Sequence, residues 1–167
     1  LGSASHPIGV IAEQFTQEGT PTSPGQVLVT TGAQQAINLA ATLLVQAGEE
    51  VVVESPSFAG TIDAFRSRGA RLVSARLDGD GVDPQAVAEL VRERAPSAAY
   101  VMPSFHNPTG VQLSEARRRQ LAGLAERADL PIIEGHTLQY MPLEVDPLPP
   151  VAAYASRDAP VWSVSSV

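Results

Sequence analysis

Ala98-Ala99-Tyr100-Val101-Met102-Pro103-Ser104-Phe105-His106-Asn107-Pro108-Thr109-Gly110 is the stretch whose reading decides the fold. Ala98 to Met102 reads as a buried strand. Asn107-Pro108-Thr109-Gly110 reads as a fixed turn, because proline presets φ and glycine permits φ > 0. Such a turn would hold the Asn107 amide at the carboxyl end of a strand. In an open α/β sheet that edge is where ligands bind, so Asn107 is a candidate binding residue. A plain strand-to-helix loop would carry the same four residues.

Outward from this stretch, apolar β-branched runs alternate with segments of helical period. Val27 to Thr31 predicts a strand leading into a helix from Ala33 to Gln46, where Ile37, Ala40, Ala41 and Leu44 recur at three- and four-residue spacing before Gly48. Val51 to Glu54 predicts a second strand, Phe58 to Arg68 a helix, and Arg71 to Ala75 a third strand. Asp83 caps a helix from Pro84 to Arg94, with proline at its first position. Ser114 caps another that runs to Ala128, followed by a strand over Leu130 to Glu134. Strands of this kind, apolar throughout and separated by helices, predict an α/β fold with a mostly parallel sheet and helices on both faces.

Composition narrows the function. The chain has 167 residues and a formal charge of −7, so it offers no footprint for a phosphate backbone or an anionic membrane. Arg117-Arg118-Arg119 is the one basic run and reads most simply as a solvated helix face. With no cysteine, disulfides and thiolate metal sites are excluded, which fits a cytoplasmic location. No signal segment or apolar run of membrane-spanning length is present, so no membrane partner is expected. All 11 basic residues are arginine, and the chain contains no lysine. Leu1 to Ser5 open without a clear element, and Val161 to Val167 reads as a strand cut short, so residues 1–167 are expected to be part of a longer protein.

Three further sites bear on chemistry. Thr30-Thr31-Gly32-Ala33-Gln34-Gln35 joins a strand to a helix through glycine, and the N–H groups of such a helix start can receive a phosphate. Phe58, after Glu54-Ser55-Pro56-Ser57, could stack on a flat heterocycle or simply fill the core. Asp78-Gly79-Asp80-Gly81 begins like a calcium loop but lacks the remaining ligands, and reads as a turn.

In order and spacing these pieces resemble the large domain of fold-type I pyridoxal-phosphate enzymes of the class I and II aminotransferase group. The likeness is closest to the aminotransferase-like domain of MocR-type GntR-family regulators and covers nearly the whole chain. It rests on Thr31-Gly32-Ala33-Gln34-Gln35-Ala36, Val53-Glu54-Ser55-Pro56-Ser57-Phe58-Ala59-Gly60, Phe65 with Gly69-Ala70, Asp78 with Gly81, His106-Asn107-Pro108-Thr109-Gly110, Ser114 with Arg117-Arg118, and Ile133-Glu134. The resemblance implies pyridoxal 5'-phosphate as cofactor. Gly32, Ala33 and Gln34 would cradle its phosphate, Phe58 would stack on its ring, Asn107 would bond its phenolic oxygen, and Ser166 would be a second phosphate ligand. By the same likeness the Schiff-base lysine lies two residues beyond Val167, and the small domain is absent. This chain then holds no catalytic residue of its own and is inactive alone. The implied parent is a homodimer that moves an amino group between an amino acid and a 2-oxo acid. Its alternative is an effector-sensing domain of a MocR/GntR-type transcription regulator with little or no turnover, this segment itself making no nucleic acid contact. A domain that has lost the cofactor is a third reading.

One departure stands out. Gly135 occupies the position where the resemblance implies an aspartate beside the pyridine nitrogen, and Leu138 the place of an aromatic residue. His136 could substitute as ring-nitrogen partner, but reads more simply as a loop residue.

Overall fold

The computed structural model describes residues 7–138 and 146–166. Leu1 to Ser5 and Val167 lie outside them. Five helices, α1 (Pro7–Gln17), α2 (Ala33–Leu44), α3 (Ala59–Ser67), α4 (Pro84–Arg94) and α5 (Glu115–Ala128), alternate with strands β1 (Glu50–Ser55), β2 (Arg71–Asp78), β3 (Gly81–Val82), β4 (Ala98–Val101), β5 (Ile132–His136) and β6 (Val161–Ser165). The strands form one sheet in the order β3-β2-β1-β4-β5-β6. Every pairing is parallel except the short β2–β3 hairpin. The expected α/β architecture is therefore present, with Asp78 to Gly81 as the hairpin turn.

Two apolar layers sandwich the sheet, because the side chains of a strand alternate between faces. On one side Ile37, Ala40 and Ala41 of α2 and Ala64 and Phe65 of α3 pack against Val51, Val53, Tyr100 and Ile133. On the other, Val87 of α4 and Leu121, Ala122 and Ala125 of α5 pack against Val52, Ala99, Val101 and Ile132. The caps act as expected: Asp83 accepts from the Gln85 amide and Ser114 from that of Arg117.

Four expectations need correction. Val27 to Thr31 is not a strand: a 3-10 turn at Pro24–Gln26 leads into unpaired backbone, with Leu28 74% and Val29 56% exposed. An apolar run becomes a strand only beside a partner, and none lies next to it among the described residues. Helix α1 was not foreseen. Strand β5 starts two residues later than expected, because the Leu130 amide bonds the end of α5 (to Ala125 O, 3.0 Å) and Pro131 has no N–H to offer. That shift makes His136 the last residue of β5, 1% exposed, and not a loop residue. Finally, the arginine run is a solvated face only in part: Arg119 is exposed, but Arg118 is 0% exposed.

Candidate functional site

Because β1, β4, β5 and β6 are parallel, the segments that follow them gather at one carboxyl edge. The start of α2 lies against the segment that follows β1, through Gln34 and Gly60. Gly32 precedes it at φ 148°, with nothing within 4 Å of where a Cβ would stand, so the approach to the first turn is open. Gln35 N bonds Gly32 O at 3.0 Å, while the earlier N–H groups of Ala33 and Gln34 have no carbonyl four residues back to bond, and no side chain caps them. The loop before them is tied down: Thr31 N and Oγ1 both donate to Gln35 Oε1, at 2.7 and 3.0 Å.

Gln34 joins this turn to the next segment. Its Nε2 donates to the Gly60 carbonyl at 2.8 Å. A Cβ at Gly60 would stand 2.2 Å from Gln34 Oε1 and 2.5 Å from Phe58 Cε1, so the amide and the ring meet over that glycine. Phe58 is half-buried and packs against the α2–α3 side of the core, one of the two roles open to it from sequence. The Ser55–Pro56 and Asn107–Pro108 peptides are both cis.

Asn107 sits in a loop held from three directions. Within it, Gly110 N donates to His106 O at 2.6 Å and His106 N to Val111 O at 2.8 Å. From β1, Glu54 Oε2 accepts the Met102 amide at 2.8 Å and lies 3.3 Å from His106 Nε2, while His106 Nδ1 is 2.8 Å from Thr109 Oγ1. From α5, Arg118 donates to Leu113 O (3.0 Å), Pro103 O (2.6 Å) and Ser104 Oγ (2.9 Å), and also to Leu148 O and Pro149 O. Five acceptors around one guanidinium satisfy a charge that burial would otherwise penalise. Burial lowers the proton affinity of Arg118, with Glu134 and Tyr154 opposing, and it stays charged at neutral pH.

On the α4–α5 side of β5, Glu134 accepts from Val151 N (2.6 Å), Ala152 N (3.1 Å) and Ser163 Oγ (2.6 Å), with His136 Nε2 at 2.9 Å from its Oε2. Burial opposes its ionisation, but His136, Ser163 and the Ala152 amide outweigh burial and hold the carboxyl below its ordinary value. Gly135 faces the other side. There a Cβ would lie 2.4 Å from the Tyr100 hydroxyl.

Sequence reasoning thus located Gly32, Ala33, Gln34, Phe58 and Asn107 at the carboxyl edge of the sheet, and Ser166 follows β6, which packs against α2, as an exposed residue. It missed Glu54, Tyr100, His106 and Arg118 as supports. Arg118 carried a usable signal, standing at i before Leu121, Ala122 and Ala125 at i+3, i+4 and i+7, on the buried stripe of α5. A cleft of about 420 Å³ at the opposite edge, lined by Glu49, Glu50, Arg71 and Arg94, is a surface of paired charges: Arg71 and Arg94 each lie 3.5 Å from Glu50.

Residues 10–133 match the model of the family described as aminotransferase class I and II. Among curated proteins, the chain is 35% identical over 132 residues to the uncharacterized HTH-type transcriptional regulator YdfD of Bacillus subtilis, covering 79% of this chain and 27% of that protein. It is 34% identical over 120 residues to 2-aminoadipate transaminase of Thermus thermophilus, covering 72% of this chain and 30% of the enzyme. The crystal structure of LysN, an alpha-aminoadipate aminotransferase from Thermus thermophilus complexed with N-(5'-phosphopyridoxyl)-L-leucine, superposes with a TM-score of 0.85 at 29% identity, over 95% of this chain and 40% of that one. The chain therefore spans under a third of the length of these two curated relatives.

Proposed function

Since the chain belongs to the aminotransferase class I and II family, we propose that it forms the cofactor-holding part of a pyridoxal-phosphate protein that binds an amino acid or its 2-oxo acid. The polar groups at the carboxyl edge fit that cofactor. Ser57 Oγ is buried there without a hydrogen-bond partner, a group that a ligand rich in phosphate and hydroxyl oxygens would satisfy. The α2 start and its open glycine suit the phosphate.

In this reading Gly32, Ala33 and Gln34 bind the phosphate through their N–H groups, with Ser166 as a second ligand. Phe58 covers the ring face, and Gln34, tethered to Gly60, keeps it there. Asn107 would offer its amide to the phenolic oxygen from a loop that the Glu54, His106 and Arg118 bonds hold in place. When bound, the cofactor supplies an electron-withdrawing ring to the carbon that bears the amino group. The chain contains no lysine, so any covalent anchor comes from outside it. The whole protein is proposed to be a cytoplasmic homodimer. Among the described residues no helix is long and apolar enough to cross a membrane.

The observation that carries this reading is the meeting of Gln34, Gly60 and Phe58 beside an uncapped α2 start. Equilibrium dialysis of a full-length protein containing this segment tests it. Saturable pyridoxal phosphate binding that weakens in Asn107→Ala is expected, whereas equal binding by both proteins would overturn the site. A second reading, a sensor that binds without turnover, is favoured by Gly135 where a carboxylate is implied, and by the HTH-type transcriptional regulators among its relatives. Amino transfer between an amino acid and a 2-oxo acid, followed in the same preparation, separates the two.

A further inference from the structure

Resting on the cofactor site proposed above, we propose that the Tyr100 hydroxyl, admitted by Gly135, is the partner of the cofactor's ring nitrogen. A neutral phenol then stands in place of the carboxylate that the resemblance implies. Successive side chains of β5 alternate between the two faces of the sheet. Ile132 packs with the α4–α5 layer and Ile133 with the α2–α3 layer. Glu134 and His136 consequently share the first side, where they are buried 2.9 Å from each other, and neither turns toward the cofactor. Gly135 is on the second side and brings no side chain.

What fills its space is Tyr100. The neighbouring β4 pairs with β5 at Tyr100–Ile133, so the tyrosine starts two residues before the level of Gly135 and runs along the strand toward the carboxyl edge. A Cβ built on Gly135 would lie 2.4 Å from the Tyr100 hydroxyl oxygen, 3.1 Å from Cζ and 3.5 Å from Met102 Cγ. No real Cβ tolerates the first of these distances, so glycine is what allows the hydroxyl to stand there. Tyr100 is 1% exposed, and burial pushes its phenol up to about 12, with the Thr61 hydroxyl opposing and the Glu54 carboxylate adding to the rise. It keeps its proton at any pH at which the protein works.

The chemistry follows from that proton. A carboxylate offsets the charge of a pyridinium and so stabilises the protonated ring, whereas a phenol carries no charge to do so and donates its O–H to the nitrogen lone pair. The two partners select opposite protonation states. With Tyr100 the ring nitrogen is unprotonated and withdraws electrons weakly, which suits retention of an amino compound more than its turnover.

The test is the nitrogen resonance of ring-15N pyridoxal phosphate bound to a full-length protein containing this segment. An unprotonated-type shift is expected in the unmodified protein. Tyr100→Phe should move it, and so should Gly135→Ala, which displaces the hydroxyl without removing it. Gly135→Asp should move it toward the pyridinium position. A pyridinium-type shift in the unmodified protein, or one that Tyr100→Phe leaves in place with cofactor still bound, overturns the inference. Failure of the unmodified protein to bind the cofactor at all removes the proposed function, and this inference with it. The two failures are thus read from separate signals.

Discussion

Gly60 contributes by lacking a side chain. Gln34 Oε1 and the Phe58 ring both occupy the space its Cβ would need, and the backbone there requires no left-handed φ. Gly60→Ala should therefore act through crowding alone. The Gln34 amide can swing away, but the ring must tilt. Losing an aromatic stack of ~0.5–1.5 kcal/mol corresponds to cofactor binding weakened roughly two- to twelvefold, with little change in Tm. Fluorescence titration beside a thermal melt checks both parts. A large fall in Tm would mean that Gly60 serves the core. Nothing local in the sequence announces this role: glycine after Phe58-Ala59 looks like helix-start punctuation, and only the fold brings Gln34, 26 positions away in sequence, against it.

At the scale of elements, Glu134 makes the β5–β6 half of the sheet sensitive to acid. Its carboxyl is held below its ordinary value of 4.5 in the folded chain. The stability it contributes is complete above that value and is lost as pH falls through the folded one, because the unfolded chain then binds the proton first. Tm should thus drop as the pH is lowered below about 4.5, and Glu134→Gln should melt lower at neutral pH but with a flatter acid dependence. Melts across a pH series decide it; an unchanged acid slope in the variant would assign the effect elsewhere. The elements themselves were largely legible. Asp83 before Pro84 and Ser114 before Glu115 marked helix starts through local bonds, and Val51-Val52-Val53 marked a strand through composition. Val27 to Thr31 has equally good composition but finds no partner among the described residues, and pairing is not written in a strand's own residues. The arginine run failed for a related reason, since charge suggested solvent while the spacing of Arg118 placed it on the buried stripe.

For the molecule as a whole, Leu28, Val29, Leu43 and Trp162 leave apolar surface exposed, Leu43 to 69% and Trp162 to 41%. Trp162 lies on β6, the last strand of the sheet among the described residues. Surface of this kind drives association, so the 167-residue chain should self-associate with concentration in sedimentation, and Leu28→Ser with Trp162→Ser should reduce it. A monomer at high concentration would count against this. Inside the molecule the opposite holds, because Arg118 gathers the carbonyls of Pro103, Leu113, Leu148 and Pro149 around one guanidinium. None of these can be released alone without leaving a buried charge short of acceptors. The Asn107 loop, α5 and the segment at 148–149 should then open as a single cooperative unit, with amides at Leu113 and Val151 exchanging against deuterium at one shared free energy. Arg118→Met should split that unit into pieces that exchange at separate rates.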